Sequence, residues 1–257
     1  MDSAGPWSAG TVHAGFARWQ ADQPERSRVL DSEAIAYVDY HAERYARLLS
    51  LVGELAGHTR APDRLRILDI GPNIQTELLR EAHPNAVVDT LGFAHPAIPP
   101  RAHERHVEFD LNRLSTPGSG PQLAAVYDMA ILAEVVEHLH VSVATVLRCV
   151  GGWLRPPGHV VVQTPNGAAL HKRIRLLLGR SPVEPPRETP GNPGHFHEYT
   201  LTELRDQVAA AGLVIERLEV ANHFGGQNAR SRLYRTAGEL LPPTLRHGIT
   251  LCASPAP

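Results

Sequence analysis

The stretch LRILDIGPNIQT, residues 65–76, decides the fold. Its first part, 65–71, is mostly apolar and is typical of a short buried strand, and a helical pattern follows at 76–82. A strand that turns into a helix at a glycine begins a βαβ unit, and Gly71 lets the backbone approach a ligand closely. Asn73 stands where a dinucleotide-binding turn has its second glycine, and asparagine tolerates a left-handed backbone. The pattern predicts a ligand-binding turn, although ordinary strand–turn–helix connections share it.

The remainder of the chain continues this alternation of strands and helices. Mostly apolar strands are predicted at 85–93, 106–111, 126–133, 158–166, 213–220 and 248–254. Helices are predicted at 33–55, 142–154 and 200–212. Strands of this kind alternating with helices predict an α/β fold, in which a mostly parallel sheet carries helices on both faces.

Two segments differ from this pattern and suggest the domain organisation. Residues 1–30 are polar and irregular, so 1–60 is predicted to be an N-terminal segment that ends in a cap helix. The main domain is predicted over 61–257. Within it, the Pro/Gly-rich stretch 180–194 suggests a lid-like insertion at about 167–197, since long loops in compact domains often cover binding sites.

Composition excludes several classes of protein. The formal net charge of the 257 residues is −2, so no overall attraction to nucleic acid or anionic lipid is expected. No apolar run reaches the ~18 residues of a membrane span, and the N-terminal residues do not resemble a signal peptide. Only two cysteines occur, Cys149 and Cys252. We expect a cytoplasmic protein without a membrane partner; the dominance of arginine over lysine suggests a GC-rich bacterial source.

Acidic and imidazole side chains cluster in AILAEVVEHLH, residues 130–140. Glu134, Glu137 and His138 are spaced i, i+3 and i+4, which places them on one face of a helical turn. Two carboxylates so close repel each other unless one takes a proton or a cation lies between them. With one imidazole they supply half of an octahedral shell around a divalent ion. His195 or His197, in GHFHEYT at 194–200, could complete the set.

Several motifs occur together in the order of a known family. These motifs are LDIG, Asp89 near the second strand, Asp110 after the third strand, YDMAILAEVVEHL and LRPPGHVVVQTPN. Over residues 65–220 they resemble the class I S-adenosylmethionine-dependent methyltransferases. The resemblance implies a Rossmann-like seven-stranded sheet with strand order 3-2-1-4-5-7-6. It also implies S-adenosylmethionine as cofactor. The cofactor-binding residues it implies are Asp69, Gly71 and Asn73 at the methionine end, Asp89 at the ribose, Asp110 and Leu111 at the adenine, and Glu134 in the pocket.

The ExxEH motif followed by TPN and His195 resembles a narrower group, the metal-dependent O-methyltransferases of small-RNA 3′ ends and of the ubiquinone pathway. That resemblance implies Mg²⁺ or Mn²⁺ held by Glu134, Glu137, His138 and His195, with the metal binding acceptor hydroxyls. Many methyltransferases with this motif need no metal. In that case Glu137 and His138 brace the strand, and His195 or His138 is the candidate catalytic base.

The sequence therefore predicts methyl transfer to a small molecule, at oxygen rather than nitrogen, as in small-molecule biosynthesis. RNA is disfavoured as substrate, and a homo-oligomer stays open. The alternatives are a degenerate methyltransferase fold that binds without turnover, and a different reaction on the same scaffold. Two helical patterns also stay open. The first is a stripe on the N-terminal helix, which either faces the pocket or is a solvated or packed helix face: Tyr37, Tyr40, His41 and Arg44. The second is the segment 171–180, which either binds an anionic substrate or is a helix that buries Ile174, Leu176 and Leu177 and leaves its charges in water.

Overall fold

The computed structural model describes residues 7–59, 65–183, 185–188, 194–222, 225, 236, 238 and 240–256. Its helices are α1 (Ala9–Asp22), α2 (Pro24–Ser27), α3 (Ser32–Gly57), α4 (Ile74–Ala82), α5 (Val143–Gly151), α6 (Leu170–Leu177) and α7 (Leu201–Ala210). Its strands are β1 (Arg66–Ile70), β2 (Val87–Gly92), β3 (His106–Glu108), β4 (Tyr127–Ala133), β5 (Leu154–Pro165), β6 (Leu213–Ala221) and β7 (Gly248–Pro255).

The strands form one seven-stranded sheet in the order β3-β2-β1-β4-β5-β7-β6. β7 runs antiparallel to both of its neighbours, β5 and β6, and the other pairs are parallel. This is the Rossmann-like arrangement predicted from the sequence. Because parallel strands end at the same edge of a sheet, the segments that follow β1, β2, β4 and β5 meet there.

A hydrophobic core lies on each face of the sheet. One core joins strand residues such as Leu132 and Val162 to α5 and α7. The other joins Ile67 and Ile131 to α1, α3 and α4. The N-terminal helices therefore pack on the same sheet as the rest of the chain, and α3 brings its inner face to the edge where β1 ends.

The prediction that residues 1–30 are irregular is wrong, because α1 and α2 lie there. Ser8 caps α1, and its hydroxyl accepts a hydrogen bond from the backbone of Thr11 in a capping box. Phe16 and Trp19 of α1 stack with their ring centroids 5.9 Å apart and are buried in the second core. The helix depends on this burial, which the polar composition of the segment did not reveal.

A buried ion-pair network fixes α4, the helix that follows the turn after β1. The Arg80 guanidinium contacts the Glu77 carboxylate at 2.5 Å and also pairs with Glu104, and all three side chains are at most 5% exposed. The half-exposed Arg101 also belongs to this network, because its Nη2 lies 2.6 Å from Oε2 of Glu77. The start of α4 is thereby held at the carboxyl edge of the sheet.

The predicted insertion at about 167–197 contains α6 and irregular backbone; residues 184 and 189–193 within it lie outside the described residues. At its end, the backbone N–H groups of Phe196 and His197 donate to the Glu137 carbonyl, at 2.7 and 3.2 Å. These bonds pin the end of the insertion to the segment after β4. Within the described ranges, no helix has the length and apolar character needed to cross a membrane.

We predict that Arg80→Met lowers the free energy of unfolding by about 3–5 kcal/mol, because the buried Glu104 would lose its arginine partner and the buried Glu77 would keep only the half-exposed Arg101. The matched control is Arg18→Met, since Arg18 pairs with Glu81 of α4 but its side chain is 60% exposed. It should change stability by less than about 1 kcal/mol. Urea unfolding curves measure both; equal losses would show that the buried network does not anchor α4.

Candidate active site

The turn after β1 has the geometry of a ligand-binding turn. Gly71 adopts a φ of +80°, which favours glycine, and a Cβ there would lie 3.1 Å from Cγ2 of Val135. The turn thus packs directly against the segment that carries Glu134 and Glu137. The predicted left-handed backbone at Asn73 is wrong: Asn73 is extended and caps α4, its Oδ1 accepting from the Gln75 backbone N–H at 2.7 Å.

Asp69, at the end of β1, holds this turn in place. Its carboxylate accepts hydrogen bonds from the Gln75 amide at 3.0 Å and from the Thr76 hydroxyl at 2.6 Å. Burial raises the pKa of Asp69 to about 6, and these two hydrogen bonds limit the rise. Asp69 therefore supports the backbone that the cofactor's methionine end is predicted to contact.

The predicted ribose role of Asp89 does not fit the structure. Asp89 lies in the middle of β2, and its fully buried carboxylate accepts from Arg66 at 2.8 Å and from the Tyr127 hydroxyl at 2.9 Å. Arg105 binds it as well, at 3.3 Å. A carboxylate with three such donors, away from the strand's carboxyl end, has a structural role; Gly92 stands where β2 ends.

A carboxylate does lie at that end of β2, on the neighbouring strand. Glu108 of β3 is aligned with Gly92, and its side chain accepts from the backbone N–H of Ala94 at 3.0 Å. Further along, Asp110 lines an open cavity of about 380 Å³ that Asn112 and His140 also border. Leu111 is buried beside it in the first core. The adenine contacts predicted for Asp110 and Leu111 stay predictions, and this cavity is compatible with them.

Glu134, Glu137 and His138 do not share the face of an α-helical turn as predicted. Glu134 follows β4 directly with a φ of +59°, which is rare for a residue other than glycine, and Val136–His138 form a short 3₁₀ turn. The Glu134 N–H donates to the Gln163 carbonyl at 2.9 Å, which fixes this conformation. Glu134 thereby faces α3, while Glu137 and His138 meet the end of the insertion.

The two glutamates form a pair of like charges, in which Glu137 is buried and Glu134 is half-buried. Burial raises the pKa of Glu134 to about 7, and burial together with Glu134 raises the pKa of Glu137. Thr164 donates to one Glu137 oxygen at 3.0 Å. The other Glu137 oxygen and Oε1 of Glu134 are buried without a hydrogen-bond partner among the described residues. Each carboxylate therefore has an oxygen that a proton, cation or ligand can satisfy.

Two buried cations, Arg44 and Lys172, oppose these acids; a pocket-facing position was one of the alternatives for Arg44, whereas Lys172 was not predicted at the site. Arg44 of α3 lowers the pKa of both glutamates, and Lys172 of α6 lowers that of Glu134. Arg44 is fully buried, and its Nη1 donates to the Gln75 and Gln163 side chains at 3.2 and 3.4 Å. Nη2 of Arg44 lacks a hydrogen-bond partner in the described part of the chain. Burial lowers the pKa of Lys172 to about 8.

The stripe on α3 fits both alternatives in part: Arg44 and His41 are buried beside the crevice and Tyr37 lines a cavity there, whereas Tyr40 is 47% exposed. His41 accepts from Nε of Arg44 at 3.0 Å, and Tyr45 lies under the guanidinium, 4.4 Å from its carbon to the ring centroid. Tyr37 and Tyr45 line a cavity of about 580 Å³ together with Asn73. The spacing of the stripe indicated this face, but only the packing of α3 on the sheet decided where it points.

Three of the four predicted metal ligands come together. Ligand atoms of Glu137, His138 and His195 all lie within 4.8 Å of one another. Nδ1 of His138 lies 2.9 Å from the Gly194 carbonyl, and Nδ1 of His195 lies 2.8 Å from the Glu198 carboxylate. A carbonyl and a carboxylate both accept hydrogen bonds, so these contacts place a proton on each Nδ1 and make Nε2 the basic nitrogen.

Glu198 links the histidines to Lys172. One oxygen of Glu198 binds His195 and the other pairs with the Lys172 ammonium group, and the Lys172 and Glu198 side chains are at most 8% exposed. Glu198 directly precedes Tyr199 and Thr200 in the motif that drew attention to His195. Glu198 is visible in this motif, but no sequence pattern indicated that Lys172, 26 residues earlier, would reach it.

The family of the chain follows from comparison with known proteins. A family model described as a methyltransferase domain matches residues 40–218, which is most of the chain. No curated protein sequence matches it. The family match begins within α3 and ends within β6, so it includes Arg44, Gly71, Glu134 and His195 but not Tyr37.

Solved structures share the fold at low sequence identity. A methyltransferase from Mesorhizobium loti is 20% identical with a TM-score of 0.52, and the match covers 78% of this chain and 95% of that one. A methyltransferase from Archaeoglobus fulgidus is 16% identical with a TM-score of 0.54, over 87% and 99% of the two chains. The [4+2]-cyclase SpnF, 16% identical with a TM-score of 0.51 over 84% and 82%, has the fold as well. The fold alone therefore does not determine the reaction.

We predict a pH-dependent stability effect for Thr76→Val. The pKa of Asp69 rises to about 6 on folding, so the folded chain binds more protons than the unfolded chain below that pH, and stability falls as pH rises through this window. The Thr76 hydroxyl stabilises the charged form. Loss of this hydroxyl should therefore lower the free energy of unfolding by about 1–3 kcal/mol at a pH above the pKa of Asp69, and by clearly less at a pH below it.

Urea unfolding of this variant at one pH on each side of that pKa measures the difference. The control is Thr59→Val, because the Thr59 hydroxyl donates to the uncharged Ala56 carbonyl at 2.9 Å and should show no such pH dependence. A Thr76→Val loss that is the same at both pH values would mean that the hydroxyl does not stabilise the Asp69 carboxylate.

Proposed function

We propose that this chain, which belongs to the methyltransferase-domain family, transfers a methyl group from S-adenosylmethionine to an oxygen of a small molecule. One observation carries the proposal most directly. The crevice beside the Gly71 turn holds a buried donor and a buried acceptor, Nη2 of Arg44 and Oε1 of Glu134, that lack hydrogen-bond partners among the described residues. Buried polar groups are rarely left so without a ligand or water.

These two groups fit the amino-acid end of the cofactor. A guanidinium N–H suits a carboxylate, and a carboxylate oxygen suits an ammonium group. Binding an ammonium at Glu134 would also lower its raised pKa, which offsets the cost of burying the charge. We propose that Arg44 and Glu134 hold the methionine end, with Gly71 and Asn73 forming the wall and Asp110 and Leu111 the adenine end.

Bound S-adenosylmethionine supplies an electrophilic methyl group, and direct displacement requires mainly proximity and alignment. The chain's own part is to position the acceptor and to take its proton. Nε2 of His195 is the proposed proton acceptor, because Glu198 orients the ring and places the other proton on Nδ1. His138 is the second candidate; burial lowers its pKa, which keeps the imidazole neutral.

A divalent metal is the alternative use of the same side chains. Glu137, His138 and His195 provide a carboxylate and two imidazoles within reach of one another, and one Glu137 oxygen lacks a hydrogen-bond partner in the described residues. Because two of the three donors are imidazoles, this set fits a transition-metal ion such as Mn²⁺ better than Mg²⁺, and a bound cation would relieve the repulsion between the two glutamates. Glu134 lies outside that trio, so we propose three protein ligands, with Glu134 reserved for the cofactor.

The small-molecule acceptor is proposed from the shape of the site. The cavity of about 580 Å³ between α3 and the turn has the size of a small-molecule pocket, and Tyr37, His95 and Arg187 line it. The chain also lacks the basic, aromatic-rich composition of an RNA-binding surface, since its net charge is −2. Products heavier by one methylene unit, detected by mass spectrometry after incubation with small hydroxylated acceptors, would establish the transfer.

We predict that Arg44→Lys weakens the binding of S-adenosylhomocysteine at least about tenfold, because a lysine cannot reproduce the planar fork of guanidinium donors. Isothermal titration calorimetry measures it, and circular dichroism checks that the variant is folded. The matched control is Arg47→Gln, one turn further along α3, where the side chain pairs with Glu219 at the surface and should not affect binding.

Unchanged affinity in folded Arg44→Lys would refute the proposed role of Arg44. A chain that binds S-adenosylhomocysteine normally but never yields a methylated product from any acceptor would support the degenerate, non-catalytic alternative. A chain that binds no S-adenosylhomocysteine at all would contradict the proposed function itself.

The metal alternative predicts that the protein binds Mn²⁺, that His195→Gln abolishes the binding, and that Glu198→Gln weakens it by about 10–100-fold by releasing the His195 ring. Electron paramagnetic resonance of free Mn²⁺ measures each affinity. His197→Gln is the matched control, because His197 is half-exposed and pairs with Glu203 instead. Methyl transfer that continues unchanged in EDTA, with no Mn²⁺ bound by the wild type, would leave His195 as a base and rule out the metal.

A further inference from the structure

Helix α6 presents its apolar side chains to solvent. Leu176, Leu177 and Leu178 are 65%, 86% and 67% exposed, and Ile174 is 47% exposed. The buried residue of the helix is Lys172. The expected packing of Ile174, Leu176 and Leu177 against the chain is therefore wrong, and these side chains lie in solvent together with the exposed arginines of the segment. An apolar patch of this kind on a surface marks an interaction site.

The charges around these leucines all have one sign. Residues 167–183 contain four basic side chains, Lys172, Arg173, Arg175 and Arg180, and no aspartate or glutamate. Nε of Arg173 donates to the Ala168 carbonyl at 2.7 Å, and Nε of Arg175 donates to the Ser181 carbonyl at 2.9 Å. These bonds hold both guanidinium groups at the surface beside the leucines.

We propose that α6 docks the protein on the surface of an anionic lipid bilayer. The leucines would insert at the boundary between headgroups and acyl chains, and the arginines Arg173, Arg175 and Arg180 would contact lipid phosphates. A helix whose leucines are flanked by arginines has the composition of an interfacial helix. The expectation of no membrane partner rested on the total charge of the chain, which does not reveal that one helix concentrates basic and apolar groups.

Charge argues for a bilayer over a second copy of the chain. In a two-fold symmetric dimer the same patch faces itself, so the arginines of both copies would converge with no acid from α6 to neutralise them. An anionic bilayer offers an apolar layer and negative charge side by side. Each arginine close to such a surface strengthens binding by about fivefold.

The proposal goes beyond methyl transfer and does not depend on it, but the position of the helix connects the two. Lys172 points inward from α6 and pairs with Glu198, which binds His195. The helix that would contact lipid is thus joined to the catalytic crevice by two consecutive side-chain contacts. Docking there would bring the crevice close to an acceptor that is dissolved in the bilayer.

The test is co-sedimentation of the full chain with vesicles of phosphatidylcholine, with and without phosphatidylglycerol, without any cofactor. Binding should require phosphatidylglycerol and should weaken in high salt. Leu177→Ser combined with Leu178→Ser should weaken it at least about tenfold. The matched control is Val214→Ser on β6, an apolar side chain that is 48% exposed and should have no effect.

Three results would overturn the proposal. The first is absent binding, or binding that is equal with and without phosphatidylglycerol. The second is that the chain binds no vesicles but forms a dimer, and that the leucine substitutions dissociate this dimer. Light scattering after size-exclusion chromatography would detect it. The third is a melting temperature lowered by several degrees in the leucine variant, since that would mean the chain itself covers these side chains.

Discussion

Two carboxylates, one buried and one half-buried, face two buried cations in the crevice, and the balance among these four charges limits which ligands the site can bind. Glu134 and Glu137 repel each other, which favours a proton, an ammonium group or a metal ion between or beside them. Arg44 and Lys172 reduce that repulsion but also leave a donor available for an anionic group. A zwitterionic ligand such as the amino-acid end of S-adenosylmethionine satisfies both requirements at once.

The two cations come from elements outside the central βαβ units. Arg44 lies on α3, before the first strand, and Lys172 lies on α6, within the insertion after β5. The sheet alone would present acids and backbone groups at its carboxyl edge. The crevice acquires its donors only when the N-terminal helix and the insertion pack against that edge, so its charge balance depends on the position of both segments.

The acids and histidines near the crevice illustrate what a motif can predict. Glu134, Glu137, His138 and His195 were predicted together, and the structure brings the last three within ligand distance of one another. Asp89 was placed at the ribose because it follows a family pattern, yet its register in β2 puts it among arginines. A shift of a few residues along a strand moves a side chain from one edge of the sheet to the other, and no local pattern fixes that shift.

The sequence by itself determined the α/β class, the order of the strands, the strand–turn–helix connection at Gly71 and the residue types of the acidic cluster, because these depend on local periodicity and glycine geometry. Only the tertiary structure decided that Arg44 faces the crevice, that Lys172 reaches Glu198, and that α6 turns its leucines outward. Those facts depend on how elements far apart in sequence pack, and the free energy of that packing comes from contacts that no single segment contains.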